Sequence, residues 1–273
     1  MSWRLPRIRV LFTAIVFVCL YAPIVLVVVF SVNKDPQLLH WEGFTLHWYK
    51  QAFHDEAVRR NFGISVQVAI ASTIISLVIA ITGGLWYRKA GPRARRWFDA
   101  MTYSRIVLPE VVFALGLFLL FTEVGIGLGV GAIVVGHVVF NSAYATIIMQ
   151  ARFATMSTSL EEAAADLGAN RWRVFRRVTL PLLMPAVVVS ALLCLTFSLD
   201  DVITSQFLGG TDAQTLPVLV LGKIRLHVTP EVNAIGSGLM LITLLTFLVA
   251  GLMTLLRPTG ASGVLGLGRR AAR

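Results

Sequence analysis

At 273 residues, with 56% hydrophobic and only 14% charged side chains, this chain carries far less charge than the roughly 25% of an ordinary soluble domain. A mean hydropathy of +0.77 points to lipid as the solvent and leaves no stretch long enough to build a separate soluble core. The net charge of +10 invites a nucleic-acid reading, but the basic residues cluster between apolar runs and form no continuous face, so no nucleic-acid partner is expected.

Six apolar runs follow one another at 11–32, 62–86, 106–121, 128–149, 182–203 and 235–256, predicting an all-α membrane protein with one transmembrane domain over 1–273. At ~1.5 Å per residue most of them exceed the ~30 Å hydrocarbon layer. The first begins behind Arg4, Arg7 and Arg9 like a leader peptide. It is too long for one and lacks a small-x-small cleavage site, so it reads as a retained helix. Pro23, Pro109 and Pro185 are expected to kink or bound helices, and Gly83-Gly84, Gly125, Gly127, Gly129 and Gly131 allow close helix approach or short turns. Between the first two runs, Trp41, Trp48, Tyr49 and Phe53 stand near helical spacing within 33–61. That pattern suits an interfacial amphipathic helix, with ligand stacking as the alternative. His40, His47 and His54 recur every seven residues, but Gly43 interrupts any shared helix and no metal site is expected. Cys19, Cys194 and the solitary His137 read as packing residues inside spans, His137 hydrogen-bonded.

Acidic residues inside apolar runs are costly, at ~2.5–3.5 kcal/mol for a mid-helix carboxylate, and need a reason. Asp200 and Asp201 form an adjacent pair near the outer part of the fifth run, and Glu110 follows Pro109 early in the third. One aspartate could cap a broken helix while the other pairs with Arg or Lys, and Glu110 could favour a helix N-terminus. The functional reading is a cation pathway. Neighbouring carboxylates repel unless positive charge arrives, and a polycationic cargo supplies it. Asp200, Asp201 and Glu110 are therefore the candidate substrate-path residues.

The charged stretch 157–181 separates the fourth and fifth runs. Ser159 with Glu162 has capping-box spacing, Gly168 suits a left-handed stop, and Asn170 can cap a second short helix. That helix carries Trp172, Val174 and Phe175 among Arg171, Arg173, Arg176 and Arg177 before Pro181 blocks its continuation. The stretch reads either as a rigid knob that docks in a groove of another protein or as a solvated loop. Charge then orients the chain: 18 of the 24 Lys and Arg residues lie on alternate connections, including Arg88, Lys89, Arg93, Arg95, Arg96, Arg105, Arg152 and the tail's Arg257, Arg269, Arg270 and Arg273. Lys34, Lys50, Arg59, Arg60, Lys223 and Arg225 fall on the other side. The positive-inside rule predicts that both termini and 157–181 are cytoplasmic.

Glu162-Ala163-Ala164, then Gly168, then Val178-Thr179-Leu180-Pro181 resemble the EAA loop of ABC importer permeases, with Val178 where Ile is usual. Leu108-Pro109-Glu110-Val111-Val112, Leu199-Asp200-Asp201-Val202 and Thr229-Pro230-Glu231-Val232-Asn233-Ala234 are similar to runs of the spermidine/putrescine permeases, whereas Asn61-Phe62 departs from the family's Asn-Ser. The resemblance implies the smaller permease subunit of a type I polyamine importer: six helices, core helices over about 60–256, a coupling loop at 157–181 and a cytoplasmic tail at 257–273. It implies a multi-pass protein of the bacterial inner membrane, partnered by a second homologous permease, two copies of a cytoplasmic ATPase, a soluble external binding protein and lipid. Glu162, Ala163, Ala164, Gly168, Arg171, Trp172, Phe175, Leu180 and Pro181 would engage the ATPase. ATP would be used by that partner and no cofactor held here, since Gly222-Lys223-Ile224 lacks the phosphate-cradling run of an ATPase. Permeases for thiamine, ferric iron or sulfate are the rivals within the fold, although a carboxylate pair argues against an anion. An ion-coupled secondary transporter would show inverted repeats, and a membrane enzyme would need a convergent catalytic set. Neither signature is present.

Overall fold

The computed structural model describes residues 5–38 and 40–256. Arg4 and the tail with Arg257, Arg269, Arg270 and Arg273 lie outside the described residues. Helices cover most of the apolar runs: α1 (Leu5–Phe30), α2 (His47–His54), α3 (Glu56–Lys89), α4 (Pro92–Val107), α5 (Glu110–Val124), α6 (Val130–Thr155), α7 (Ser159–Asp166), α8 (Arg171–Val174), α9 (Leu180–Asp200), α10 (Ile203–Leu208), α11 (Leu216–Leu226) and α12 (Pro230–Leu256). Five helical stretches are each long and apolar enough to span a bilayer: 9–30, 56–89, 130–155, 171–200 and 230–248. The pair α4 and α5, long and apolar enough together for a sixth span, is bent by 105°.

That bend corrects the third predicted run. Residues 106–121 are not one rod, because Pro109 lacks the amide a helix needs and pushes Leu108 into extended backbone (φ −67°, ψ 128°). Arg105, expected on a connection beside Arg93, lies 12 residues further along α4, roughly 18 Å away, and is buried. The fifth run is also redrawn. Its helix ends at Asp200, and Asp201 takes an extended conformation (ψ 123°) before the short α10. The helix of the second run, α3, starts at Glu56, ahead of the predicted 62, because the Asp55 carboxylate accepts from the amides of Ala57 and Val58 at its first turn.

The outer segment is less helical than its aromatic spacing predicts. Only His47–His54 coils, whereas Trp41 lies in irregular chain closed by a single antiparallel bridge between Asn33 and Phe44. Asn33 organises that loop: its amide donates to His40 O (2.7 Å) and its carbonyl oxygen accepts from Glu42 N (3.0 Å), while Trp48 Nε1 donates to Asn33 O (2.7 Å). Local side-chain bonds of this kind compete with helix formation.

The core lies where α3, α6 and α9 pack together. At one end it holds Ala80, Ala145, Met149, Phe153, Leu183 and Cys194. A second cluster of Val68, Phe121, Ile133 and Leu208 joins α5 and α10, and a third of Ala52, Val58, Leu216 and Ile235 seats the outer helices. Two glycines permit close approach between helices: a Cβ at Gly84 would meet the Phe153 ring, and one at Gly136 would meet Thr204 and Leu208. Cys194 is buried as expected, but Cys19 is exposed on α1.

Candidate functional site

The break between α9 and α10 creates the site. Asp201 is the first residue past the α9 rod, and its Oδ1 accepts from Ser205 N (2.8 Å), tying it to the first turn of α10. The same oxygen lies 3.2 Å from His137 Nε2 on α6, with the two side chains only 10% and 2% exposed. His137 is held from its other nitrogen: Nδ1 is 2.6 Å from Ser198 Oγ, which accepts from Ser72 Oγ on α3 (3.3 Å). A buried polar chain thus runs from α3 through α9 and α6 to Asp201, fixing the carboxylate's direction. Asn141, one turn further along α6, donates to Cys194 O (3.3 Å).

Glu110 opens α5 directly after the Pro109 break, and its carboxyl adjoins those of Asp201 and the Thr204 hydroxyl. Two helix breaks therefore meet, and each exposes a carboxylate to the other. The expected trio is divided by this geometry. Glu110 and Asp201 come together, but Asp200 ends α9 exposed and makes no hydrogen bond or ion pair among the described residues. Asp201 does bond to the first turn of the helix beyond the break and also meets His137, whereas the other aspartate, Asp200, pairs with no Arg or Lys among the described residues. His137 is buried and hydrogen-bonded as expected, and Asp201 is among its partners. Its alignment with Asp201 crosses 64 residues of sequence, and no local spacing announces it.

Aromatic rings border the pair. Phe140, Tyr144 and Phe197 form a cluster with centroids 5.0–5.5 Å apart, and the Arg105 guanidinium lies 3.7 Å from the Phe113 ring centre and 4.7 Å from that of Phe140.

The 157–181 stretch folds as two short helices about a left-handed joint. Gly168 has φ +82°, its amide bonds Ala165 O (2.9 Å), and Ala169 N bonds Ala164 O (3.1 Å), closing the end of α7. Asn170 caps α8 through Arg173 N (2.8 Å), as its side chain predicts. The capping box does not form. Ser159 already lies inside α7, no side chain caps that helix, and Glu162 stays exposed. Its neighbour Glu161, absent from the expected set, anchors the stretch instead by accepting from Arg88 (3.0 Å) and Thr179 (2.7 Å). Burial would raise the Glu161 carboxyl, but the Arg88 and Thr179 hydrogen bonds outweigh it and hold the group below its ordinary value.

Pro181 does not stop the helix. A π-helical turn, Phe175–Thr179, carries the chain from α8 into α9, with Pro181 in the first turn, where its missing amide costs nothing. Arg152 supports this join by donating twice to Leu182 O (3.0 and 2.8 Å). The Trp172 and Phe175 rings lie 5.6 Å apart, tilted by 30°, and Trp172 is exposed. A groove of ≈ 690 Å³ lies between this knob and the end of α3, lined by Leu85, Arg88, Glu161, Ala165, Trp172 and Phe175.

An all-helical subunit with an exposed knob on one connection and carboxylates at two broken helices defines a membrane transport component. Residues 72–259 match the family of binding-protein-dependent transport system inner membrane components, and the chain belongs to that family. It is 34% identical to the spermidine/putrescine transport system permease protein PotC of Haemophilus influenzae, over 90% of this chain and 96% of the relative. It is likewise 34% identical to the putrescine transport system permease protein PotI of Escherichia coli, over 84% of each. Among solved structures, a subunit of a bacterial ABC transporter involved in import of the acidic polysaccharide alginate superposes with a TM-score of 0.67 at 18% identity, over 93% of this chain and 96% of that one. The MetNI methionine ABC transporter gives a TM-score of 0.58 at 19% identity, over 71% and 93%. The fold is therefore that of ABC importer membrane subunits, and the chain is an inner-membrane, multi-pass protein.

Proposed function

We propose that this chain is one of two related permeases in an ATP-driven importer of polyamines, with Glu110 and Asp201 on the cargo path. The observation that carries the reading is the meeting of these two carboxylates at broken helix ends inside an apolar bundle. Charge buried in this way is retained for a cationic partner, because attraction grows as the dielectric falls. The names of the relatives, spermidine/putrescine and putrescine permeases, support the same cargo class. Asp200, exposed at the rim, would meet cargo before Asp201 does.

The knob is the transmission end. Glu162, Ala163, Ala164, Gly168, Arg171, Trp172, Phe175, Leu180 and Pro181 would seat in a cleft of a cytoplasmic ATPase, with both termini on the same side of the membrane. A second permease completes the conduit, two ATPase copies drive it, and an external binding protein delivers cargo. ATP is consumed by the partner, and this chain holds no cofactor of its own. Closure of the ATPase dimer would turn the permeases outward, and hydrolysis would let them reopen inward.

The test is uptake of labelled putrescine by cells carrying the complete importer, with competing spermidine and sulfate. Competition by spermidine but not sulfate is expected. Transport of sulfate in place of polyamine would overturn the cargo, and loss of the ATPase from pull-downs of Gly168→Asp would identify the docking knob.

A further inference from the structure

Arg105 is 5% exposed, and none of its three guanidinium nitrogens has a hydrogen-bond partner among the described residues. A buried guanidinium carries five donors and ordinarily binds carboxylate through its planar fork. Here the carboxylates of Glu110 and Asp201 lie near enough to act on its charge, yet neither accepts a bond from it. What it touches instead is the face of Phe113 and, beyond it, that of Phe140, which packs on Tyr144 and Phe197. Aromatic faces with carboxylates behind them make a receptor for a cation that carries its charge on a slender stem. Arg105 is such a cation, tethered three residues before the Leu108-Pro109 break, which gives α4 a joint about which to withdraw it.

We propose that Arg105 is a tethered occupant of the cargo's own cation site: its guanidinium rests on Phe113 and Phe140 where an ammonium group of the incoming polyamine binds, and cargo takes the site by displacing it. The inference rests on the polyamine reading and deepens it. Between cargo molecules Arg105 balances the Glu110 and Asp201 charge. During transport one positive charge is exchanged for another, so the bundle never carries the pair of carboxylates bare. The held position is weak by design, because ring faces release a cation more readily than a bidentate carboxylate does.

An internal competitor lowers apparent affinity by the fraction of time the site is free, so removing it raises affinity. The complete importer in lipid nanodiscs, without its binding protein, is dialysed against labelled putrescine. Arg105→Ala is expected to bind at least about tenfold tighter than wild type, with methylguanidinium competing for the vacated place, and Arg105→Lys to stay near wild type. Equal or weaker putrescine binding by Arg105→Ala in an intact complex overturns the exchange. A second measurement needs no variant: phenylglyoxal modification of Arg105 in the wild-type complex, followed by peptide mass spectrometry, should rise several-fold with putrescine and stay unchanged with sulfate. Modification that is unchanged or lower with putrescine bound overturns the exchange even if Arg105→Ala fails to assemble. Wild-type cells that take up putrescine while Arg105 reactivity stays constant would sink the exchange alone. Cells that take up no polyamine would sink the cargo reading and the exchange with it.

Discussion

Among the five long helical spans, the most apolar is the least buried, and the most buried is among the least apolar. The apolar window of α1 has a mean hydropathy of 2.8 and none of its residues is fully buried, whereas that of α6 has 1.7 and half of it is buried. In water the order would be reversed. In a bilayer the tails are as apolar as leucine, so hydrophobicity only brings a helix into the membrane. Small and polar residues then decide which helix goes to the centre. Helix α6 supplies both: Gly136 lets α10 approach, and His137 and Asn141 bond across to α9 and α10.

Substitutions can break or sharpen this contrast. The largest effect is expected at the buried pair. Asp201→Asn removes the charge while its Oδ1 can still accept from His137 and Ser205, and a charged hydrogen bond is worth about 1.5–3 kcal/mol, so polyamine uptake should fall more than tenfold while pull-down of the complex survives. Asp200→Asn, at an exposed position, should change uptake far less, and equal losses at both would refute the division of the two aspartates.

Next comes steric crowding at the α6 crossing. Gly136→Ala forces a methyl group against Thr204 and Leu208 and should cost about 1–3 kcal/mol, read as a lower thermal midpoint of the purified complex. Gly116→Ala, with open space around it, is the control and should leave the midpoint unchanged or slightly raised. Smaller still, Asn141→Ala loses one interhelical hydrogen bond to Cys194 O, and bonds of this kind in membranes average about 0.6 kcal/mol.

The outer helices are clamped by charge rather than by packing alone, since Lys223 Nζ lies 3.0 Å from Asp55 and 2.6 Å from Glu231. Burial would raise Asp55, but the Lys223 bond and the backbone amides of α3 hold it below 3.8. Its contribution is complete at neutral pH and lost as pH falls through that depressed value. Burial would lower Lys223, but Glu231 and Asp55 hold it above 10.5, so its contribution fades only as pH rises beyond that. Amide exchange of α11 should be flat in pH between these limits, after correction for intrinsic rates, and faster below about pH 4, with Lys223→Met abolishing the difference. The smallest effect belongs to α1, where Phe17→Leu should move stability by no more than about 0.5 kcal/mol. A destabilised monomeric subunit would show that Phe17 is packed after all.

The sequence reads well where structure is local. Apolar runs locate the helices, Gly168 locates the left-handed joint, and Asn170 locates its cap, because each depends on a few neighbouring residues. Reading fails where distant residues decide. Ser159 has the spacing of a capping box, yet Arg88 and Thr179 claim the adjacent Glu161 and the box stays open. Pro181 looks like a stop because a π turn, placed by the packing of α9 against α3 and α6, is invisible to a local rule. Asp200 and Asp201 look alike in sequence, and only the direction of the chain after the helix end separates an exposed acid from one locked to His137.

The π turn has a mechanical meaning as well. Through it, 171–200 becomes one uninterrupted rod of 30 residues, roughly 45 Å long, with Trp172 near one end and the Asp200-Asp201 break at the other. A flexible link at Pro181 would absorb a push on the knob within its first few ångströms. A stiff rod behaves as a crankshaft, delivering at its far end whatever tilt or twist is applied at the near one. The turn also holds one residue more than an α-helical turn would, and winding it back to α geometry would rotate the entire shaft by about 100° relative to the knob. Departures from ideal α geometry along this shaft thus fall at two places, the π turn Phe175–Thr179 and Pro185 inside α9.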